Sequence, residues 1–516
     1  VNPIRTRAEW DAQRAACAAD PGAYHGEIAK RELHWFAPDE GMHGAWITWS
    51  DTERRWTGFD ARTGAPVVAD RAADWTPWEL GFDDRDAPFY RWFTGGLTNA
   101  CFNEVDRHVL AGHGAEAALL FEGDRWDQSL DGGRGGPVVS YAVSRKRLLL
   151  ETAKCAVALQ QLGVQRGDRV AINMPNIPEQ VYWTEACKRL GVVYTPVFGG
   201  FSDKTLSDRI HNAGARLVIT ADGGYRNAQI VEFKEAYTDP ALDNYVPAEV
   251  AKAAVATAVG EMGLEPALRD AILAGATEAI GAEITLERSD VMRGVGRALE
   301  SVEGLRPADA SRIRTAIASA LVATPSRVEA VIVVKHTGQG DIVWRAERDR
   351  WAHELTARAL ETIVENARRA GASVSSEADL LALDDRALVE AVWATVPPAV
   401  VDAEYPLFFI YTSGSTGKPK GVVHVHGGYV SGVAHTMKVS FDAQPGDVMY
   451  VVADPGWITG QSYMICAALA TRVTTVIGEG APVFPSAGRF ASMIERYGVK
   501  IFKAGVTFLK SVMTDP

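Results

Sequence analysis

The sequence predicts an α/β fold, a parallel sheet with helices on both faces, and three observations carry that prediction. Runs such as Val170-Ala171-Ile172 and Val192-Val193-Tyr194-Thr195-Pro196-Val197 are short and apolar throughout, which suits strands covered on both sides. Between them, Arg145 to Leu162 and Glu179 to Leu190 carry apolar residues at helical spacing and close on Gly163 and Gly191. Strand, helix and strand therefore alternate, the pattern of right-handed crossovers in a parallel sheet. With 516 residues and 47% hydrophobic content, the chain can bury a large core and hold more than one structural unit.

The stretch 1–105 comes first and is rich in tryptophan: His34-Trp35-Phe36, Trp46, Trp49, Trp56, Trp75, Trp78 and Trp92. Clustered aromatics bury large areas, so this segment is expected to have little regular structure and to wrap onto a larger body. The rival reading, an aromatic platform for carbohydrate, has no second feature behind it. Residues 106–245 form the first part of the α/β core.

From 246 to 325 the rhythm breaks into Ala-rich helical segments, separated at Gly263, Gly281 and Gly304 and ended by Pro325. Apolar positions recur at helical spacing in Leu268/Ile272, Val291/Val295/Leu299/Val302 and Ile313/Ile317/Leu321. A small inserted four-helix bundle is predicted. The sheet pattern resumes at Val328-Glu329-Ala330-Val331-Ile332-Val333-Val334, so 326–516 is the second part of the core. A further Arg/Glu-rich helical insertion runs from about Thr356 to Val396 and stops at Pro397-Pro398. Decoration, a docking surface and a regulatory ligand site are the readings open for both insertions.

The densest chemistry is Tyr411-Thr412-Ser413-Gly414-Ser415-Thr416-Gly417-Lys418-Pro419-Lys420-Gly421, flanked by the short β-type runs Leu407 to Tyr411 and Gly421 to Val425. Glycines let backbone N–H groups converge on an anion; four hydroxyls add donors and two lysines add positive charge. The order is not that of a Walker A loop, since Lys418 is followed by Pro419 and no helix follows. A polyphosphate cradle between two strands is the reading, against a Ser/Thr/Gly-rich surface turn.

Composition narrows the partners. A net charge of −12 argues against a nucleic-acid surface and leaves small molecules as the expected ligands. The apolar runs are too short to span a bilayer and the start of the chain carries no signal pattern, so a cytoplasmic location without membrane partners is expected. Five scattered cysteines suggest neither a disulfide framework nor a zinc site. The chain begins with Val1 and stops after Met513-Thr514-Asp515-Pro516, which reads as a fragment.

The loop resembles the signature of the adenylate-forming acyl-CoA synthetases, and within them the short-chain branch that handles acetate and propionate. Further blocks carry the resemblance: Asn103 to His108, Val170 to Glu179, Val197 to Ser202, Leu217 to Thr220, and Ala453-Asp454-Pro455-Gly456-Trp457-Ile458-Thr459-Gly460. The resemblance implies the large N-terminal domain of the adenylate-forming superfamily, with the bundle inserted and the C-terminal lid absent. It implies ATP, Mg²⁺ and coenzyme A as cofactors. It also implies that Thr412, Ser413, Gly414, Ser415, Thr416, Gly417, Lys418 and Lys420 hold the phosphates, with Thr416 and Lys418 foremost in catalysis. Trp457 and Ile458 would border the acyl pocket, and Arg209 and Thr459 would meet coenzyme A; the metal ligands stay unknown. Core or surface roles for Trp457 and Arg209 remain open.

Val483 stands where the short-chain branch places Asn, which puts coenzyme A recognition in doubt there. More narrowly, the insertions and Pro455 resemble the ligase part of fused propionyl-CoA synthases, which activate 3-hydroxypropionate ahead of hydratase and reductase domains. A stand-alone acetate or propionate ligase and a non-catalytic nucleotide-binding scaffold are the alternatives. The adenine, ribose and lid motifs of the resembled enzymes do not occur in this sequence, so the chain is expected to be incomplete as a catalyst.

Overall fold

A computed structural model describes residues 3–36, 45–50, 55–60, 76–281, 283–323, 328–412 and 420–513, with backbone alone for 45–50, 55–60 and 322–323. At the centre is a seven-stranded sheet in the order Asp349–Trp351, Ala330–Val334, Leu217–Ala221, Arg169–Ile172, Val193–Pro196, Pro406–Thr412 and Lys420–Val425. All neighbours are parallel except the last pair, an antiparallel hairpin. Leu217 to Ala221 and Ala330 to Val334 are buried throughout, as strands covered on both faces must be. A second sheet of five strands orders Ser140–Ser144, Ala117–Glu122, Thr474–Gly478, Val448–Val452 and Ile501–Ala504.

Helix Arg145–Gln161 is capped by Ser144, whose side chain accepts from Arg147 N–H, and helix Pro178–Leu190 starts on Pro178 and ends at Gly191 in the left-handed conformation. Both lie in the main hydrophobic cluster against the central sheet.

The N-terminal segment is more regular than its composition suggests. Helix Arg7–Ala19 opens on a Thr6/Glu9 capping box, and helix Pro21–Glu32 opens on Asp20 with Pro21 in its first turn. These local stop and start signals outweigh the scarcity of a clear apolar stripe in the first helix, none of whose residues is buried. The anchoring is aromatic: Trp35 is fully buried, donates to the Ala29 carbonyl at 3.0 Å and packs edge-on against Trp78. Trp75 lies outside the described residues, as do the side chains of Trp46, Trp49 and Trp56.

Helices Ala248–Gly260, Pro266–Ile280, Arg288–Ser301 and Pro307–Ala323 share a hydrophobic cluster of their own, centred on Ile272, Val295, Ile313 and Ile317. A two-stranded ribbon, Tyr245–Pro247 with Thr285–Glu287, joins them to the rest of the chain. The second helical stretch differs from the expectation of decoration. In it, helices Ala352–Arg369 and Asp385–Trp393 place Leu355, Ile363, Leu388 and Val392 in the main cluster, and the first packs on Arg145–Gln161. Its arginines and glutamates are the solvent face of helices integral to the core.

Charged groups also sit deep inside. Lys188 bonds Glu104 at 2.6 Å and Glu185 at 2.7 Å, and Arg189 bonds Asp106 at 2.8 Å, all three pairs being shielded from solvent. Burial, followed by the neighbouring Glu104, holds the Glu185 carboxyl well above the usual carboxylate range. The Asn103 to His108 block that carries the family resemblance is therefore a structural pin.

Candidate functional site

The site is built where the loops after the central strands meet the hairpin. In that hairpin Tyr411 pairs with Gly421 and Thr412 with Lys420, so these last two residues face one another at its mouth, both exposed. The hairpin is the strand, loop, strand setting that the sequence predicts. Ser413, Gly414, Ser415, Thr416, Gly417 and Lys418 lie outside the described residues. Tyr411 anchors the approach to the loop: its hydroxyl donates to Asn212 Oδ1 at 2.7 Å.

The block from Asp454 to Gly460 crosses the strand-end loop of Phe198 so closely that only glycine fits. A Cβ on Gly456 would come within 2.2 Å of the Phe198 backbone nitrogen, and one on Gly460 within 2.2 Å of the Asp454 carbonyl oxygen. The turn is further held by Asp454 Oδ1 accepting from Gly456 N–H at 2.6 Å and by Gln461 donating to the Pro455 carbonyl at 2.7 Å. Gln461 in turn accepts from the Tyr194 hydroxyl, which ties the block to a central strand.

This rigid turn presents side chains outward. Trp457 is 47% exposed and Ile458 39%, too open for core residues. Trp457 leans on Phe198 and Phe201 with ring centroids 5.9 and 5.7 Å away. Thr459 is half-buried beside them. An aromatic shelf results.

Arg209 joins the shelf to the hairpin. Its guanidinium lies 4.3 Å from the Phe201 ring and 5.5 Å from that of Tyr411, and it donates to the Thr205 carbonyl at 3.0 Å. The sequence reading groups it with Gly199-Gly200 on the coenzyme A side, and Phe201, on which it lies, directly follows that pair. Gly199 and Gly200 line a cavity of about 150 Å³ with Asn176, Tyr225, Arg226 and Asp454, and Arg209 stands outside it. Arg226 and Asp454 are missed by sequence reasoning; the signal for Arg226 is faint, an arginine in a three-residue hairpin strand.

Burial pushes the Asp454 carboxyl up to about 7, more than the Gly456 N–H and the Arg226 charge pull it down. Next to this cavity, Glu479 accepts from Tyr225 N–H at 2.8 Å and pairs with His336 Nε2 at 2.7 Å. Burial alone would lower His336, but the Glu479 hydrogen bond and charge prevail and its pKa is raised. His426, by contrast, is pushed down to about 3 by burial and accepts from Ala100 N–H, a neutral structural role.

Fold and site together define a nucleotide-handling α/β protein: a hydroxyl-, glycine- and lysine-rich loop joins two strands, beside an aromatic shelf at the ends of a parallel sheet. The chain belongs to the AMP-binding enzyme family, whose model matches residues 138–278 and 311–516. Residues 67–103 match the acetyl-coenzyme A synthetase N-terminus. Among relatives, the acetyl-coenzyme A synthetase of Streptomyces coelicolor is 34% identical over 432 residues, 84% of this chain and 47% of that protein. Those of Paraburkholderia phymatum and Methylobacillus flagellatus are 32% and 33% identical, covering 90% and 94% of this chain and 51% and 56% of theirs. The chain thus spans about half the length of the curated relatives it matches.

Proposed function

We propose that this chain belongs to an AMP-forming acid–thiol ligase that activates a short-chain carboxylic acid with ATP and passes the acyl group to coenzyme A. The observation that supports it best is the hairpin mouth formed by Thr412 and Lys420, set beside the Trp457 shelf and bridged to it by Arg209. In this reading a carboxylate oxygen attacks the α-phosphorus of ATP and pyrophosphate leaves; the coenzyme A thiol then displaces AMP. The substrate is its own nucleophile. The protein's task is to position reactants and stabilise phosphate charge.

Thr412 to Lys420 hold the β- and γ-phosphates, with Thr416 and Lys418 the principal contacts. Trp457 borders the acyl group and Ile458 limits its length, while Thr459 lies toward coenzyme A. Arg209 meets coenzyme A, and Arg226, which lines the cavity of Gly199 and Gly200, is a second guanidinium for its phosphates. Among the described residues no three His, Cys, Asp or Glu side chains cluster to hold a metal ion. When bound, Mg²⁺ neutralises phosphate charge.

At finer grain, we read the acid as 3-hydroxypropionate, propionate or acetate. The four helices from Ala248 to Ala323 are an insertion into the adenylate-forming core, and the chain is the ligase portion of a cytoplasmic propionyl-CoA synthase with hydratase and reductase domains. The sequence resemblance alone supports the fused assignment.

The test begins with calorimetric titration of this chain with MgATP. Thr416→Ala/Lys418→Ala is expected to weaken binding at least about tenfold, since charge-assisted hydrogen bonds contribute roughly 1.5–3 kcal/mol each. Equal affinity in the double variant would remove the loop from the site. Acyl-CoA formation from the three acids then ranks the substrates.

A further inference from the structure

We propose a second small-molecule site, for a zwitterion of the amino-acid class, in a cavity separate from the one beside the shelf. The cavity holds about 550 Å³ and shares no residue with the one beside Asp454. Val334 and Lys335 bring the carboxyl end of strand Ala330–Val334 to it, and the helices Arg145–Gln161, Pro178–Leu190 and Ala352–Arg369 wall it. This proposal does not rest on the ligase reading.

The ligand class follows from which charges in the wall are already spent. Arg147 pairs with Glu151 and Glu377, and Lys154 with the same two carboxylates at 2.8 and 3.3 Å. That square is neutral and closed. Left over are one carboxylate and one ammonium. Glu179 has no ion-pair partner among the described residues; its carboxylate is hydrogen-bonded to its own backbone N–H. Burial raises its pKa, and the charges acting on it from the surrounding elements are His336, Glu151 and Glu479. Lys335, at the end of its strand, lies 5.9 Å from the Trp351 ring and forms no ion pair among the described residues.

Around these two charges stand groups suited to a small organic molecule. Tyr141, Tyr182, Trp183 and His353 line the cavity with them, and Tyr141 and Tyr182 are close enough to Glu179 for its charge to act on both rings. A ligand ammonium meets Glu179 and the tyrosine hydroxyls, and its carboxylate meets Lys335. A simple cation would be repelled by Lys335 and a simple anion by Glu179; a molecule carrying both charges satisfies both. His353 and Thr356 come from the helix Ala352–Arg369, so ligand binding would bear on the element that packs across Arg145–Gln161.

The twenty proteinogenic amino acids, β-alanine and 4-aminobutyrate are screened by thermal shift on this chain, and the best binder is titrated calorimetrically. Saturable binding is expected, weakened at least about tenfold by Glu179→Gln and by Lys335→Gln, each of which removes one charge-assisted contact. The methyl ester of that amino acid, which lacks the carboxylate, should lose affinity in Glu179→Gln but not further in Lys335→Gln. Binding by none of the panel, or binding indifferent to both variants with their melting temperatures unchanged, overturns the proposal.

Discussion

At the scale of single residues, Asp454 offers the sharpest test of the site's electrostatics. Its carboxyl titrates at about 7 when folded, against about 4 in an unfolded chain. A group whose folded pKa is raised adds stability that is complete below its unfolded value and is lost as pH rises through its folded value. Asp454→Asn keeps an acceptor for Gly456 N–H and removes the ionisation. The variant should match the parent near pH 4 and exceed it near pH 8, by a few kcal/mol at most at about 1.4 kcal/mol per pKa unit. Urea unfolding across that range is the check, and parallel pH profiles would show that Asp454 is solvated as usual.

Residue identity was legible in the sequence where chemistry is dense and contiguous. Tyr411 to Gly421 announces itself because turns rarely need so many special residues in a row. Asp454 and Arg226 were not legible, since their meaning comes from a cavity assembled by loops far apart in the chain. The contacts of Arg209 with the Phe201 and Tyr411 rings were likewise not legible, because Tyr411 is brought to it from another part of the chain.

At the scale of elements, the four helices between Ala248 and Ala323 keep their buried apolar residues in a cluster separate from the main core. Their tethers to the rest are few and polar, such as Thr285 N–H donating to Asp208 at 3.0 Å and the Lys204–Glu283 pair at 3.4 Å. Replacing 246–325 by a short Gly/Ser linker should therefore leave the remaining protein cooperative in thermal unfolding. An insoluble product, together with an isolated 246–325 peptide lacking helical circular dichroism, would tie the helices to the core. Helix spacing was readable there from glycines and apolar repeats. The packing of Ala352–Arg369 was not: its arginines and glutamates dominate the composition, while the thin stripe of Leu355, Ala359, Ile363 and Ala367 decides where it lies.

At the scale of the whole molecule, Asp106 is the point where distant parts of the chain converge. It accepts from Arg189 at 2.8 Å and from the Trp393 indole at 2.7 Å, joining the turn Phe102–Asp106 to helices Pro178–Leu190 and Asp385–Trp393. Asp106→Ala leaves a buried guanidinium without its carboxylate and should cost about 3–5 kcal/mol. The loss is read as a shift in the urea midpoint, and a change under 1 kcal/mol, the size found for exposed pairs, would mean the pair is solvated.

The crossing of Gly456 over Phe198 carries a lesson for how such a protein could acquire a new substrate. Two backbones in contact, with no side chain between them, form a joint that cannot slide or widen by point substitution. Adaptation at this shelf is confined to trimming or enlarging the three rings and Ile458 that hang from it. On the proposed reading of the shelf as the border of the acyl pocket, lineages that diverge in acid preference should differ at positions 198, 201, 457 and 458 while keeping glycine at 456, and a library randomised at the four former positions should yield folded variants far more often than one randomised at 456.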